Sequence, residues 1–164
     1  MSLDLSQFKS LIVTPVIHSL PLPGDPVARI ELTTGIMLKE SGLIWLKQLG
    51  GGPAEGLGQM EEATHDDLWR TFLPYRPDLR AAVMQWLPQK YAQVPIPDTA
   101  ALIGCEYYAA AMTAVRFYRS PVALPSAGDA RAPCAAWNAG YNTAGGKGRI
   151  DAATISIFQK AINA

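Results

Sequence analysis

A chain of 164 residues is the size of one ordinary domain with a sizeable core, and 49% hydrophobic against 17% charged residues makes it globular rather than disordered. Lys plus Arg equals Asp plus Glu at 14 each, with no basic run. That balance excludes the electrostatic footprint of a nucleic-acid binder.

The opening stretch, MSLDLSQFKSLIVTPVIHSL, has Asp4 before its first lysine and a proline inside its apolar run. It lacks the basic, apolar and small-residue regions of a signal peptide, so synthesis in the cytoplasm is expected. Residues 1–25 are expected to pack as an N-terminal extension on a single domain spanning 1–164. No apolar run approaches the roughly 18 residues that crossing a bilayer takes, so no membrane insertion is expected.

Helical signals then dominate. PVARIELTTGIMLKES, 26–41, opens with proline at a first-turn position. At the helical period Thr33, Ile36, Met37 and Glu40 share one side, so Glu40 projects from the face that carries core residues. A short extended segment falls within 50–60. Thr64-His65-Asp66-Asp67 reads as a capping box starting a helix with Leu68, Trp69, Phe72 and Leu73. A helix from about Pro77 carries Leu79, Ala82, Val83 and Trp86. Asp98 is placed to cap the longest helix, about 98–119, with Leu102, Cys105, Ala109, Met112 and Val115 in one stripe. Such a helix crosses roughly 30 Å and is expected at the centre of the domain. A proline-rich loop over 120–129, a helix over about 130–142, and a last helix capped by Asp151 with Ile155, Phe158 and Ile162 complete an all-α domain.

Three places exceed what a plain helical bundle needs. Glu40 is either a surface charge where its helix frays at Ser41-Gly42, or a carboxyl shielded from water. Burial disfavours the charged form and raises a carboxyl's pKa, which suits a general acid near neutral pH. GGGPAEGLGQM has five glycines between 50 and 58. It is either a flexible loop or a backbone open to close approach by a ligand, with Gln59 and Met60 offering amide and apolar groups to a sugar ring. CAAWNAGYNTAGGKG gathers Trp137, Asn138, Tyr141 and Asn142 near a helix end. These are either core aromatics and a C-terminal asparagine, or partners for a carboxyl, an N-acetyl group or a ring face.

Other candidates offer less. Cys105 and Cys134 read as buried thiols in helical segments, with neither disulfide nor zinc spacing. His18 and His65 have no ligand partners at metal spacing, so no metal and no cofactor is expected. AGGKG lacks the frame of a phosphate loop. In EYYAAAMTAVRFYRS the tyrosines and arginines read as structural.

Taken together and in order, these blocks resemble the lytic transglycosylase and goose-type lysozyme superfamily, and most closely its small phage-encoded members. Its pattern is a helix ending in Glu-Ser, a Gly-Leu-x-Gln-Met/Ile block before a threonine helix cap, and a helix ending in Ala-Tyr-Asn-Ala-Gly. Glu40-Ser41, Gly56-Leu57-Gly58-Gln59-Met60 and Thr64 match it, at the family's separation. For the last block, either Asn138-Ala139-Gly140 matches with Trp137 in the tyrosine place, or Tyr141-Asn142 matches with Thr143-Ala144-Gly145 carrying an extra residue. The second fits the helix end better. Stretches 53–67, 117–125 and 141–148 look like those of the phage proteins.

The resemblance implies a lysozyme-like domain that cleaves the β-1,4 bond between N-acetylmuramic acid and N-acetylglucosamine in peptidoglycan strands. Glu40 is the implied acid and base of a 1,6-anhydro-forming reaction. Ser41, Gln59, Met60, Trp137, Asn138, Tyr141 and Asn142 are implied to orient it and the sugar. Glu55, Glu61, Glu62, Asp66 and Asp67 match no family catalytic position and read as solvated charges. A hydrolytic muramidase with the same site, a non-catalytic glycan-binding or virion protein, and a chitinase-like enzyme are the alternatives. Without a leader, a wall-cleaving protein is expected to act after release from the cell or as part of a phage particle.

Overall fold

In the computed structural model, which describes residues 3–142 and 148–164, the chain is organised around α3, Pro26–Ser41. Asp25 caps it by accepting from the Val27 amide at 2.9 Å, and Pro26 supplies a preset first turn. Every residue from Ala28 to Met37 is buried, which a helix shows only when it is covered on all sides. The charges on this stretch are matched. Arg29 Nη2 donates to the Pro23 carbonyl at 2.6 Å, and Glu31 Oε2 accepts from the Gly128 amide at 2.8 Å.

Around α3 pack α7, Glu106–Arg119, α8, Arg131–Gly140, and α9, Ala152–Asn163. Asp151 caps α9 as expected, accepting from the Thr154 amide at 2.8 Å. The α3–α9 contact depends on Gly35, where an added Cβ would lie 2.3 Å from the Phe158 ring. Phe158, Leu32 and Ile36 close this part of the core, each contributing about 1.5–3 kcal/mol by leaving water.

The N-terminal residues form helix where none was read from the sequence. Asp4 caps α1, Leu5–Gln7; a π-helical segment follows over Phe8–Val13, then α2 over Thr14–Ser19. Pro15 has no N–H to offer the preceding turn and its ring needs room there. The widened turn provides it, and the Thr14 hydroxyl donates to the Lys9 carbonyl at 2.8 Å. Phe8, Val13, Val16, Ile17 and Leu20 are buried in the core against α3 and α7.

The expected long helix over 98–119 is interrupted. Cys105 is extended, with φ −153° and ψ 107°, between α6, Ala101–Gly104, and α7. A Cβ on Gly104 would lie 2.0 Å from the Tyr91 hydroxyl, so only glycine fits at the end of α6. At 14 residues α7 spans about 21 Å, and α3 takes the central position. Cys134 is buried, while Cys105 is half-buried outside any helix. Helix α8 is a little shorter than read, and α5 runs over Pro77–Gln85.

The small sheet pairs β1, Ala54–Glu55, with β2, Met60–Glu61, in antiparallel register Ala54↔Glu61 and Glu55↔Met60. Lys47 bridges to Glu55 on the outer side, so the segment after α3 lies along β1. Helix α4, Glu62–Thr71, starts directly from β2 with no side-chain cap. The threonine expected to cap it, Thr64, is therefore the third residue of the helix, within its first turn. Among the described residues no helix is long and apolar enough to cross a membrane.

Candidate active site

Glu40 occupies the last turn of α3, where Gly42 ends the helix in the left-handed conformation at φ 61°. Ser41 serves this termination. Its hydroxyl donates to the Met37 carbonyl at 2.9 Å and accepts from the Leu43 amide at 3.1 Å, and the residue is buried. Glu40 itself is half-buried. Its Oε1 accepts from the Trp137 indole N–H at 2.6 Å, a bond that reaches from α3 to the facing helix α8. Loss of hydration raises the Glu40 pKa, opposed by that bond and by the Arg116 and Lys39 cations. The balance favours the neutral acid more than in water.

The glycine block supplies the next wall. The Tyr141 hydroxyl donates to the Gly58 carbonyl at 2.7 Å, and a Cβ on Gly58 would stand 2.2 Å from the Thr113 hydroxyl. Only a residue without a side chain lets this loop sit against α7 and Tyr141. Gln59 follows with φ 45°. Its Nε2 donates to the carbonyls of Gly56 at 2.9 Å and Trp45 at 3.3 Å, so its side-chain carbonyl is the end left to meet a ligand. Arg116 lies over the Tyr141 ring, 3.8 Å from its centre, and donates to the Tyr141 carbonyl.

These elements enclose a cleft of about 340 Å³ with Glu40, Gln59, Tyr141 and Asn142 on its walls, within the range of small-ligand sites. Trp137 joins the group by its bond to Glu40. Three expected contacts stand elsewhere, Ser41 among them, its hydroxyl spent on the helix end. Met60 is buried in the core, and Asn138 lies outside the lining, accepting from Asn142 at 3.4 Å. Thr143-Ala144-Gly145 and most of AGGKG, which carried part of the third block, lie outside the described residues. The aromatic bonded to Glu40 is Trp137, whereas Tyr141 bonds the loop.

The cleft also contains residues that the sequence reading set aside. Arg116, read as structural, lines it, as do Thr64, read as a cap, and Glu61, read as a solvated charge. Trp45, Gln48 and Leu49 add a wall that no motif indicated. The signal for Arg116 was a cation inside an otherwise apolar helix stripe. For Glu61 it was strand alternation, since its neighbour Met60 points into the core. Glu55 pairs with Lys47 at 3.5 Å, Asp66 bonds His65 and Arg70, and Asp67 bonds Arg119; none of these, nor Glu62, lines the cleft.

No family model, curated protein or solved structure matches the chain.

Proposed function

We propose that the protein is a peptidoglycan lytic transglycosylase, an all-α, lysozyme-like enzyme acting on the β-1,4 bond between N-acetylmuramic acid and N-acetylglucosamine. The observation that carries this reading is the Glu40 carboxyl. It is shielded, its pKa is raised, and one oxygen is held by Trp137 inside a cleft bordered by Gln59, Tyr141 and Asn142. The order of sequence blocks supports the same reading.

The chemistry requires a proton donor that later accepts one. Protonated Glu40 gives its proton to the glycosidic oxygen as the bond to C1 breaks, and positive character grows at C1. The substrate's own N-acetyl oxygen shields that carbon. Glu40, now a carboxylate, removes the proton from the C6 hydroxyl, whose oxygen closes on C1 to give a 1,6-anhydro sugar. Proton and electron pairs balance without water. Trp137 donates to the carboxylate form and steadies it between the two transfers.

A second reading is hydrolysis, and one observation favours it. Glu61 is exposed and lines the same cleft, so it can serve as the base that activates water in a two-carboxylate mechanism. Mass spectrometry of sacculus digests separates the readings. Anhydromuropeptides from the wild type and from Glu61→Gln support the transglycosylase; reducing muropeptides that vanish with Glu61→Gln support the hydrolase. Glu40→Gln is expected to fold and to release neither. Absence of any product from the wild type would overturn both in favour of a binding or virion protein, and cleavage of chitin oligomers alone would indicate a chitinase-like enzyme.

A further inference from the structure

The geometry points to Trp45 as a stacking platform for an N-acetylhexosamine ring of the glycan, beside the ring on which Glu40 acts. The inference rests on the proposed glycan substrate and adds to it a residue outside every motif. Three of the four tryptophans are already committed. The indole N–H of Trp69 donates to Tyr108 at 2.9 Å, that of Trp86 to Ser19 at 2.8 Å, and that of Trp137 to Glu40 at 2.6 Å. Trp86 also stacks on Tyr107 with centroids 5.1 Å apart. Trp45 differs: it is 47% exposed, and it lines the cleft that holds Glu40.

An isolated exposed apolar side chain is ordinary on a protein surface. Trp45 is not isolated, because Leu49, 64% exposed, lines the same cleft. The two give the cleft an exposed apolar, aromatic wall facing its polar residues. A hexosamine ring suits such a wall. Its hydroxyls point outward around the rim and its faces carry C–H groups, which an indole face attracts through its negative π surface while both lose water.

The backbone that carries the platform is also tied down. The Trp45 amide donates to the Ser41 carbonyl at 3.2 Å, one residue beyond Glu40, and its carbonyl accepts from Gln59 at 3.3 Å. Just beyond it in the chain, the Leu46 carbonyl accepts from the Gly56 amide at 2.9 Å and the Gln48 amide donates to the Ala54 carbonyl at 3.0 Å. One backbone segment therefore ties the Trp45 main chain to the end of α3 and to the loop that presents Gln59. A ring stacked there is held in register with the acid before chemistry starts.

The test uses the full chain carrying Glu40→Gln, so that ligand is bound but not consumed, with hexa-N-acetylchitohexaose as the probe. Calorimetric titration is expected to show affinity falling about tenfold with Trp45→Ala and with the apolar, non-aromatic Trp45→Leu, but less than threefold with Trp45→Phe. With Glu40 intact, Trp45→Leu is expected to raise KM on sacculi about tenfold and leave kcat within threefold, the signature of lost uniform binding. Far-ultraviolet circular dichroism of each variant checks that the helices persist. Equal affinity across wild-type Trp45, Leu and Phe overturns the platform, as does failure of the Glu40→Gln protein to bind the probe. The reaction itself is judged separately by products from sacculi, which neither of those results would alter.

Discussion

The bond between Trp137 and Glu40 can be tested through the pH dependence it imposes. Trp137→Phe keeps an aromatic ring in a position that is 3% exposed, beside Phe158 at 6.2 Å between centroids, but removes the N–H that lies 2.6 Å from Oε1. A hydrogen bond to a charged group contributes about 1.5–3 kcal/mol and one to a neutral group about 0.5–1.5 kcal/mol. The difference, about 1 kcal/mol, is what the indole adds specifically to the ionised form. Its loss leaves burial less opposed, so the Glu40 pKa rises further. Because Glu40 acts first as an acid, kcat/KM falls as pH rises through that pKa, and in the variant this fall moves to higher pH by just under one pH unit. Stability changes in the matching direction. A carboxyl whose folded pKa is raised loses stability as pH climbs from the unfolded pKa through the folded one, so the variant's melting temperature drops further below wild type at pH 8 than at pH 4. The assay is kcat/KM on labelled sacculi from pH 4 to 9, with thermal melts across the same range. A fall that stays in place or moves to lower pH would refute the claim that the indole holds the carboxylate form.

Two further perturbations probe the frame. Gly58→Ala places a Cβ 2.2 Å from the Thr113 hydroxyl and 3.0 Å from that of Tyr141; it is expected to cost about 1–3 kcal/mol in urea unfolding. Adding Thr113→Ala should recover part of this cost, and strictly additive effects would show that the loop does not abut α7 there. His65 is buried, its Nδ1 3.1 Å from Asp66 and its Nε2 2.7 Å from the Tyr108 hydroxyl. Burial lowers its pKa, with Asp66 opposing. A histidine with a lowered folded pKa binds its proton more readily when unfolded, so stability should fall as pH drops below about 6.5. In His65→Gln that acid-side loss is expected to be smaller, and an unchanged pH dependence of the melting midpoint would remove His65 as its source.

What the sequence determined by itself was local. Pro26 at a first-turn position, the helical run of 26–41, and Asp151 before the last helix act within a turn or two of chain, so α3 and α9 were legible from residue order, whereas the burial of Ala28–Met37 on every side was not. The glycine block was legible too, as a place where side chains are absent, though not why. Tertiary structure alone decided the rest. Gly58 is needed because Thr113, 55 positions away in the chain, comes within reach of its Cβ. The expected long helix breaks at Cys105, next to Gly104, which has to be glycine because Tyr91 lies against it. Glu61 and Thr64 enter the cleft because β2 passes straight into α4. Trp137 reaches Glu40 because α8 packs on α3. Capping and periodicity operate over neighbouring residues and can be read in order; a cleft is a meeting of distant ones, and its membership follows from packing that no local pattern encodes.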